Sequence, residues 1–170
     1  MDAHNNIVVA DQTAGRDGTD TLNSIENVTF GATTYSVSKG TAAADNIVST
    51  RAPSLLLGGG GADTFIFSSA AVAGNNASRD VIGDFVDFHT NASLHDLIDL
   101  QNIALGSTSP WVFDGAAALP GFAANTAGHL HYLQIGGDTL IEGNTNLNGA
   151  ADFQILLRGL HTLMDADFIK

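Results

Sequence analysis

The sequence contains no cysteine and few basic residues, and both absences narrow the class of protein. Six lysines and arginines stand against 18 acidic residues among 170, a formal net charge of −12 at pH 7. Without cysteine there is no disulfide framework, no thiolate zinc site and no cysteine nucleophile. The shortage of basic residues argues against nucleic acid and anionic membranes as partners, because binding either requires a basic patch.

Long apolar runs and N-terminal targeting features are also absent. No stretch approaches the roughly 18 consecutive apolar residues of a membrane-spanning helix, so we expect no membrane span. The opening segment, Met1–Asn6, has no basic region followed by an apolar stretch, so we expect no secretory signal peptide. With 44% hydrophobic residues the chain can bury a core, which excludes a largely disordered protein.

Glutamate is scarce, and this scarcity points to a metal. Only Glu26 and Glu142 are glutamates, so the other 16 of the 18 acidic residues are aspartates. Aspartate is the carboxylate of turns and of hard-cation sites, where its short side chain reaches an ion held by a loop. So many carboxylates repel one another unless cations neutralise them, and Ca²⁺ is the first candidate.

A nine-residue repeat is present between residues 40 and 66. The block Gly58–Ile66 matches the pattern G-G-x-G-x-D-x-U-x at every fixed position, where U is apolar. The block Gly40–Val48 keeps the first glycine, the aspartate and the apolar eighth residue, whereas Ser49–Leu57 keeps only the apolar one. This period predicts a parallel β-roll, in which alternate blocks stack on the same side.

The stacked turns of this roll predict a calcium site. Glycines let the backbone turn its carbonyl groups toward an ion, and the aspartate adds a carboxylate. The expected ligands are the side chains of Asp45 and Asp63 and carbonyl oxygens near Gly40, Ala42, Gly58 and Gly60. A further block that ends in Gly83 predicts one more site on the same stack through Asp80. The glycine run by itself would also suit a flexible loop before a strand.

The remaining apolar segments predict antiparallel strands. The expected strands are Thr64–Phe67, Asp80–Phe85, Leu97–Leu100, His129–Ile135, Thr139–Glu142 and Phe153–Arg158, with hairpin strands near Ile7–Val9, Val28–Phe30 and Thr34–Val37. The sequence Gly136–Asp138 is typical of a hairpin turn. A single helical turn is expected at Ala116–Leu119, before Pro120.

Three segments together resemble a known domain. Gly58–Phe67, Asp80–Phe85 and Asp96–Leu100 resemble the C-terminal calcium-binding domain of the RTX family, found in serralysin-type (peptidase M10) and other type I-secreted proteins. The tail of that domain is similar to Gly128–Ile169, and an upstream linker unit is similar to Asp17–Phe30. The resemblance implies an all-β fold, a short parallel β-roll of nonapeptide repeats capped by antiparallel strands in a β-sandwich-like arrangement. It also places Asp96 among the calcium ligands.

The resemblance implies an organisation and a role. We expect a β-hairpin or linker unit over residues 1–39, a short calcium β-roll over 40–85, and an antiparallel cap over 86–170. The terminus Asp165–Lys170 is similar to an uncleaved C-terminal export signal recognised by a type I secretion exporter. The expected function is a calcium-binding folding and secretion module, extracellular, at the C-terminal end of a larger secreted bacterial protein.

Other functions remain open at this stage. The sequence has no H-E-x-x-H motif, so we expect no enzyme activity in this chain, and a catalytic domain would lie outside it. The alternative function is a polysaccharide-binding accessory module of a secreted carbohydrate-active enzyme or adhesin, acting through Arg51, Arg79, Arg158 or bridging Ca²⁺. A stand-alone secreted structural or adhesive protein is a third possibility.

Three further features have competing interpretations. His129 and His131 lie on one face of a predicted strand, but without a third ligand a zinc site is disfavoured. Trp111 could stack on a sugar, although a lone tryptophan in an all-β domain is more often part of the core. The segment Asn144–Asp152 would suit either a weak cation loop or an asparagine-rich turn closed by its own hydrogen bonds.

Overall fold

The computed structural model describes residues 7–10, 19–22, 25–50, 53–106 and 110–170. Its strands in the first half of the chain are β1 (Ile7–Ala10), β2 (Thr19–Leu22), β3 (Asn27–Phe30), β4 (Thr33–Lys39), β5 (Asn46–Ser49), β6 (Ser54–Leu57) and β7 (Thr64–Phe67). A helical turn, α1 (Ala70–Ala73), and a 3₁₀ turn (Asn76–Ser78) follow. The second half contains β8 (Asp80–Ile82), β9 (Leu97–Asp99), β10 (Val112–Ala116), β11 (His129–Ile135), β12 (Asp138–Asn144), β13 (Phe153–Leu157), a 3₁₀ turn (Asp165–Asp167) and β14 (Phe168–Ile169).

Two sheets face each other, and from β4 to β9 the chain alternates between them, whereas β1 and β2 pair antiparallel in a sheet of their own. The smaller sheet has four parallel strands in the order β14-β9-β7-β5. Asn46 pairs with Thr64, and Ile47 pairs with Phe65, so β5 and β7 stack with the offset of 18 residues that two nonapeptides predict. β6 lies between them in sequence but belongs to the other sheet. The stacking of Gly40–Val48 beside Gly58–Ile66 is therefore confirmed.

The larger sheet combines the roll with its cap. Its order is β10-β11-β12-β13-β8-β6-β4-β3, and the central strands β4, β6, β8 and β13 are parallel. On one side β12 pairs antiparallel with β13 and β11 pairs antiparallel with β12, and on the other side β3 pairs antiparallel with β4. The edge strand β10 is parallel to β11. The predicted fold class, an all-β roll with antiparallel capping strands, is confirmed.

The core lies between the two sheets. Successive side chains of a strand point to opposite faces, so alternate residues of each strand are buried. In the larger sheet Leu56, Ile82 and Leu157 are fully buried, and Phe65 and Ile98 face them from the smaller sheet. Trp111 belongs to the same core, with its ring edge-on to Phe153 at 5.9 Å between ring centroids, so its core interpretation is confirmed.

Some predicted details are wrong. The strands β7, β8 and β9 are parallel, because each belongs to the alternating path of the roll rather than to a hairpin. No helical turn forms at Ala116–Leu119; Ala116 ends β10, and the N–H of Ala117 continues the pairing by donating to the Tyr132 carbonyl. The helical turn that does form is α1, which buries Ala73.

The helices are short. None in the described part of the chain is long and apolar enough to cross a membrane.

Candidate metal centre

Three aspartates form a ladder at the start of the smaller sheet. Asp45, Asp63 and Asp96 each stand one residue before β5, β7 and β9, and we call them the aspartate ladder. The N–H of Asp45 donates to Oδ1 of Asp63 at 2.9 Å, and the N–H of Asp63 donates to Oδ1 of Asp96 at 2.8 Å. Because neighbouring strands lie about 4.8 Å apart, the carboxylates stack at about one strand spacing.

The two glycine-rich turns that precede β5 and β7 are in direct contact. The N–H of Gly60 donates to the carbonyl oxygen of Thr41 at 2.9 Å. Gly61 has a φ of +105°, and a Cβ on it would lie 2.6 Å from the carbonyl carbon of Ala43. Because φ is positive and there is no room for a Cβ, only glycine fits at position 61. The glycine run is therefore a packed turn rather than a flexible loop.

Oxygen atoms lie close to both of the glycines that begin these turns, Gly40 and Gly58. A Cβ on Gly40 would lie 2.3 Å from the Gly58 carbonyl oxygen and 2.9 Å from Oδ2 of Asp45. A Cβ on Gly58 would lie 2.3 Å from Oδ2 of Asp63. At each of these two positions an oxygen atom lies where a side chain would begin, and hard oxygens of this kind are the ligands that Ca²⁺ takes.

Two of the three ladder carboxylates, those of Asp63 and Asp96, are electrostatically unfavourable without a cation. Burial raises the pKa of Asp63, and the neighbouring charges of Asp45 and Asp84 raise it further. Burial is also the main cause that raises the pKa of Asp96 to about 6. Asp45 differs, because hydrogen bonds from the Thr41 hydroxyl and N–H, each 2.7 Å, lower its pKa. Ionised Asp63 and Asp96 therefore carry a desolvation cost that a bound cation would offset.

Asp84 is a neighbour of the ladder that the sequence prediction missed. Its Oδ1 accepts the N–H of Gly58 at 2.9 Å and its Oδ2 accepts the N–H of Gly59 at 3.0 Å. Burial raises the pKa of Asp84, and its charge raises those of Asp63 and Asp96. The one local signal is its place in Gly83–Phe85, two residues after the end of β8.

Asp80 does not extend the ladder, so that part of the site prediction is wrong. It begins β8, which pairs with β6 in the larger sheet, whereas the ladder precedes strands of the smaller one. Its Oδ2 accepts the Ser49 hydroxyl at 2.5 Å, and its Oδ1 accepts the N–H of Ser54 at 2.6 Å. Ser54 begins β6 and Asp80 begins β8, so the pairing of these two strands brings Asp80 beside Ser54 rather than beside Asp63.

The buried carboxyl group of Asp80 predicts that the stability of the fold depends on pH. Burial raises its pKa to about 7, so the folded state keeps a proton that the unfolded state loses above about pH 4. Its contribution to stability therefore falls as pH rises from about 4 to 7. We expect Asp80→Asn, which can keep the acceptor for Ser54, to stabilise the chain at pH 8 by at most about 4 kcal/mol. At pH 4 the gain should nearly vanish.

Thermal unfolding in chelator at both pH values tests this expectation. The matched control is Asp99→Asn, because Asp99 is half-buried in β9 and, among the described residues, its Oδ1 accepts a local N–H, that of Gln101. If Asp80→Asn melted at the same temperature as the parent chain or lower at pH 8, Asp80 would not be a buried carboxyl group whose ionisation destabilises the fold.

The segment Asn144–Asp152 is closed by its own hydrogen bonds. The N–H groups of residues 146, 148 and 150 donate to the side-chain oxygens of Asn144, Asn146 and Asn148, at 3.1, 2.8 and 2.8 Å. Asp152 accepts from the N–H and hydroxyl of Thr145 and from the amide of Asn146. The geometry is the asparagine-rich turn closed by side-chain to main-chain hydrogen bonds.

The two candidate zinc histidines have separate carboxylate partners. Nδ1 of His129 lies 2.9 Å from Asp114, whereas Nε2 of the buried His131 lies 3.0 Å from Glu142. Across the residues that the structure describes, no three histidine, aspartate or glutamate side chains converge on one ion position. A calcium ion in the ladder would therefore need main-chain carbonyl oxygens, as predicted for Gly40, Ala42, Gly58 and Gly60, and water to complete its shell.

Arg79 and Arg158, two of the arginines named for polysaccharide binding, do not form one patch. Arg158 follows β13 and donates to Asp138 at 2.5 Å, whereas Arg79 precedes β8 and donates to the Asn76 carbonyl at 2.6 Å. Val81 pairs with Leu156, which places the two arginines at opposite ends of the β8–β13 pair. Arg51 lies outside the described residues.

The alternating parallel sheets and their capping strands define a β-roll. Among solved structures this chain is similar to the solution structure of the AlgE6R3 subunit from the Azotobacter vinelandii mannuronan C5-epimerase. The match has 20% sequence identity and a TM-score of 0.51, and it covers 79% of this chain and 67% of the other. A likeness at this identity is one of fold. No protein-family model and no curated protein sequence matches the chain.

Proposed function

We propose that this chain is a calcium-dependent folding module of a secreted protein. The observation that carries the proposal is the aspartate ladder, Asp45, Asp63 and Asp96. Its recorded hydrogen-bond donors among the described residues are main-chain N–H groups and one hydroxyl, with no cationic side chain among them. The ladder lies beside stacked turns in which carboxylate and carbonyl oxygens lie against Gly40 and Gly58. In this proposal Ca²⁺ supplies the positive charge that the chain lacks.

Calcium binding is linked to folding in this proposal. The ladder and the turns come together only when β5, β7 and β9 pair, so the unfolded chain has no comparable site. An ion that binds the folded state alone, at a hundredfold excess over its dissociation constant, adds about 2.7 kcal/mol per site. Extracellular calcium modules have dissociation constants of about 10⁻⁴–10⁻³ M, so the roll would stay loose in the cytosol and fold outside.

The C-terminus connects this linkage to export. Phe168 and Ile169 form β14, which pairs with β9, and Phe168 and Asp167 are buried. The Asp167 carboxylate accepts the N–H groups of Phe88 and Met164 at 2.6 and 2.7 Å, which ties the terminus to the roll. A terminal export signal docked in this way would be inaccessible after folding. We therefore propose that a type I exporter takes the chain before calcium folds it.

The proposal also assigns a location, a parent protein and metal ligands to the module. The module would be extracellular and attached to a larger bacterial protein whose catalytic domain lies outside this chain. The metal ligands would be Asp45, Asp63 and Asp96 with carbonyl oxygens of the glycine-rich turns, and Asp84 would hold the turn that begins at Gly58. Polysaccharide binding remains the alternative function, and bridging Ca²⁺ rather than an arginine patch would have to provide it.

Calorimetric titration tests the proposal. We expect CaCl₂ added to the chelator-treated chain at pH 7.5 to bind saturably with a dissociation constant on the order of 10⁻⁴ M. MgCl₂ is the control, because Mg²⁺ demands a smaller octahedral shell and gives up its water reluctantly. Absence of calcium binding up to 10 mM (on the order of ten times the weak end of that range), in a chain that melts cooperatively, would refute the proposal.

A further inference from the structure

A cavity lies on the face of the larger sheet that points away from the core. Its volume is about 400 Å³, and its described lining residues are Phe30, Tyr35, Leu55, Val81, Leu156 and Arg158. These come from β3, β4, β6 and β8, from β13, and from the residue that follows β13. Since those five strands are consecutive neighbours, the cavity is a trough that runs across them, and we call it the outer trough.

Strand alternation explains the apolar floor of the trough. Leu55 pairs with Val81, and Val81 pairs with Leu156, so the three side chains form one row across three parallel strands. Their sequence neighbours Leu56 and Ile82 are fully buried on the opposite face, in the core. The row itself is only half-buried, which leaves hydrocarbon at the surface of a strongly acidic protein.

An aromatic pair closes one end of the trough. Phe30 and Tyr35 meet edge to face, with ring centroids 6.2 Å apart. Phe30 is 55% exposed on the edge strand β3, where a polar residue would pack equally well. An exposed phenylalanine that continues an apolar row extends the length of hydrocarbon the trough can cover.

The guanidinium group of Arg158 lies at the other end of the outer trough. The Arg158 side chain is 55% exposed and uses Nη1 to donate to Asp138. A guanidinium group has five N–H donors, so donors remain for a second acceptor. The chain has only six basic residues and a net charge of −12, and Arg158 is the one cationic side chain among the described lining residues. An anionic group is the ligand that fits it.

We propose that the outer trough binds a single-chain amphiphile with an anionic head group. The hydrocarbon chain lies over Leu55, Val81 and Leu156, and the head group accepts hydrogen bonds from Arg158. The volume falls within the roughly 300–1,000 Å³ of small-molecule sites. Six lining residues are far fewer than the about 20–30 per side of a stable protein interface.

The lining residues also favour an amphiphile over a sugar as the ligand. Sugar hydroxyl groups need polar partners, and the described lining residues offer two side-chain polar groups, the Arg158 guanidinium and the Tyr35 hydroxyl. The other four contribute hydrocarbon or an aromatic ring, so a saturated alkyl chain is better matched than a polyhydroxylated ring.

The test uses octane-1-sulfonate as probe, with the full chain in 1 mM CaCl₂ (on the order of the proposed calcium affinity range). We expect saturable amide chemical-shift changes centred on Leu55, Val81 and Leu156 in two-dimensional NMR spectra. Octyltrimethylammonium, with the same alkyl chain and the opposite charge, should not saturate these shifts. Equal binding of the two probes, or shifts that lie outside the trough, would overturn the proposal.

Two variants and a control sharpen the test. Arg158→Gln should weaken binding about tenfold, the usual worth of a hydrogen bond to a charged group. Arg79→Gln, which removes an arginine outside the trough, should leave it unchanged. Asp138→Asn releases Arg158 while it keeps the acceptor for the Gly159 N–H, 2.9 Å away, so binding should tighten severalfold.

The Asp138→Asn result also covers the case in which Arg158→Gln fails to fold. Unchanged affinity in whichever of the two variants melts cooperatively would overturn the role of Arg158. Saturation of the same shifts by a uronic acid oligosaccharide, with none by octane-1-sulfonate, would overturn the amphiphile in favour of a glycan.

Discussion

Asp63→Asn is expected to lose most of the calcium-induced stabilisation, about 2.7 kcal/mol at a hundredfold excess of calcium over its dissociation constant. In chelator the variant should be at least as stable as the parent chain. The asparagine oxygen can still accept the Asp45 N–H, whereas the buried charge that neighbouring carboxylates repel is gone. Thermal unfolding in chelator and in CaCl₂ measures both effects, and their opposite signs distinguish a lost ligand from a damaged fold.

The matched control is Asp99→Asn, which removes a carboxylate of β9 outside the ladder. It should keep the full calcium response. Asp63→Ala is a harsher variant, because it also leaves the Asp45 N–H without its acceptor, and it should lose stability in both buffers. A normal calcium response in Asp63→Asn would remove Asp63 from the proposed site.

Gly40→Ala is expected to destabilise the chain by about 3 kcal/mol and to abolish its calcium response. The added Cβ would lie 2.3 Å from the Gly58 carbonyl oxygen, a backbone atom that can move only if the stacked turns separate. For a domain of this size that loss lowers the melting temperature by about 10 °C. The measurement is thermal unfolding with and without calcium.

Gly60→Ala provides the internal comparison in the opposing turn. A Cβ on Gly60 would make only ordinary contacts, at 3.6 Å from Ala42. Its φ lies outside the left-handed region, so alanine should fit with little cost. Equal melting temperatures for Gly40→Ala and Gly60→Ala would show that the glycine at position 40 is not needed for the close approach of the turns.

The nonapeptide period predicted the part of the fold that it covers. Two repeats separate Asn46 from Thr64, and the structure pairs these two residues. The apolar eighth positions Ile47, Leu56 and Phe65 are all buried in the core. Period and burial agree here because every residue of a nonapeptide has a fixed place in the turn or in the strand.

Beyond Phe67 the period fails, because the connections lengthen. Asp63 and Asp96 are neighbours in the ladder although 33 residues separate them, and Gly58 and Asp84 are in contact across 26. Such spacings have no regular signature, so Asp84 was missed and Asp80 was placed on the wrong side. Asp96 was expected only through the family resemblance.

The cap shows a second limit of sequence reasoning. The strands β11, β12 and β13 were predicted from alternation and from the turn at Gly136, and they form as expected. Nothing in that pattern indicates that Glu142 is buried with His131 and Gln154 in one hydrogen-bonded network. Partners of this kind are chosen by strand register, and register is a property of the assembled sheet.

Far-UV circular dichroism and thermal unfolding of this chain, in chelator and then in millimolar CaCl₂, show whether calcium holds the roll together. We expect a gain of β-sheet signal and a higher melting temperature with calcium, both reversed when excess chelator is added again. Identical spectra and melting curves in the two buffers would contradict this expectation, and would show that the aspartate ladder is stable without a cation.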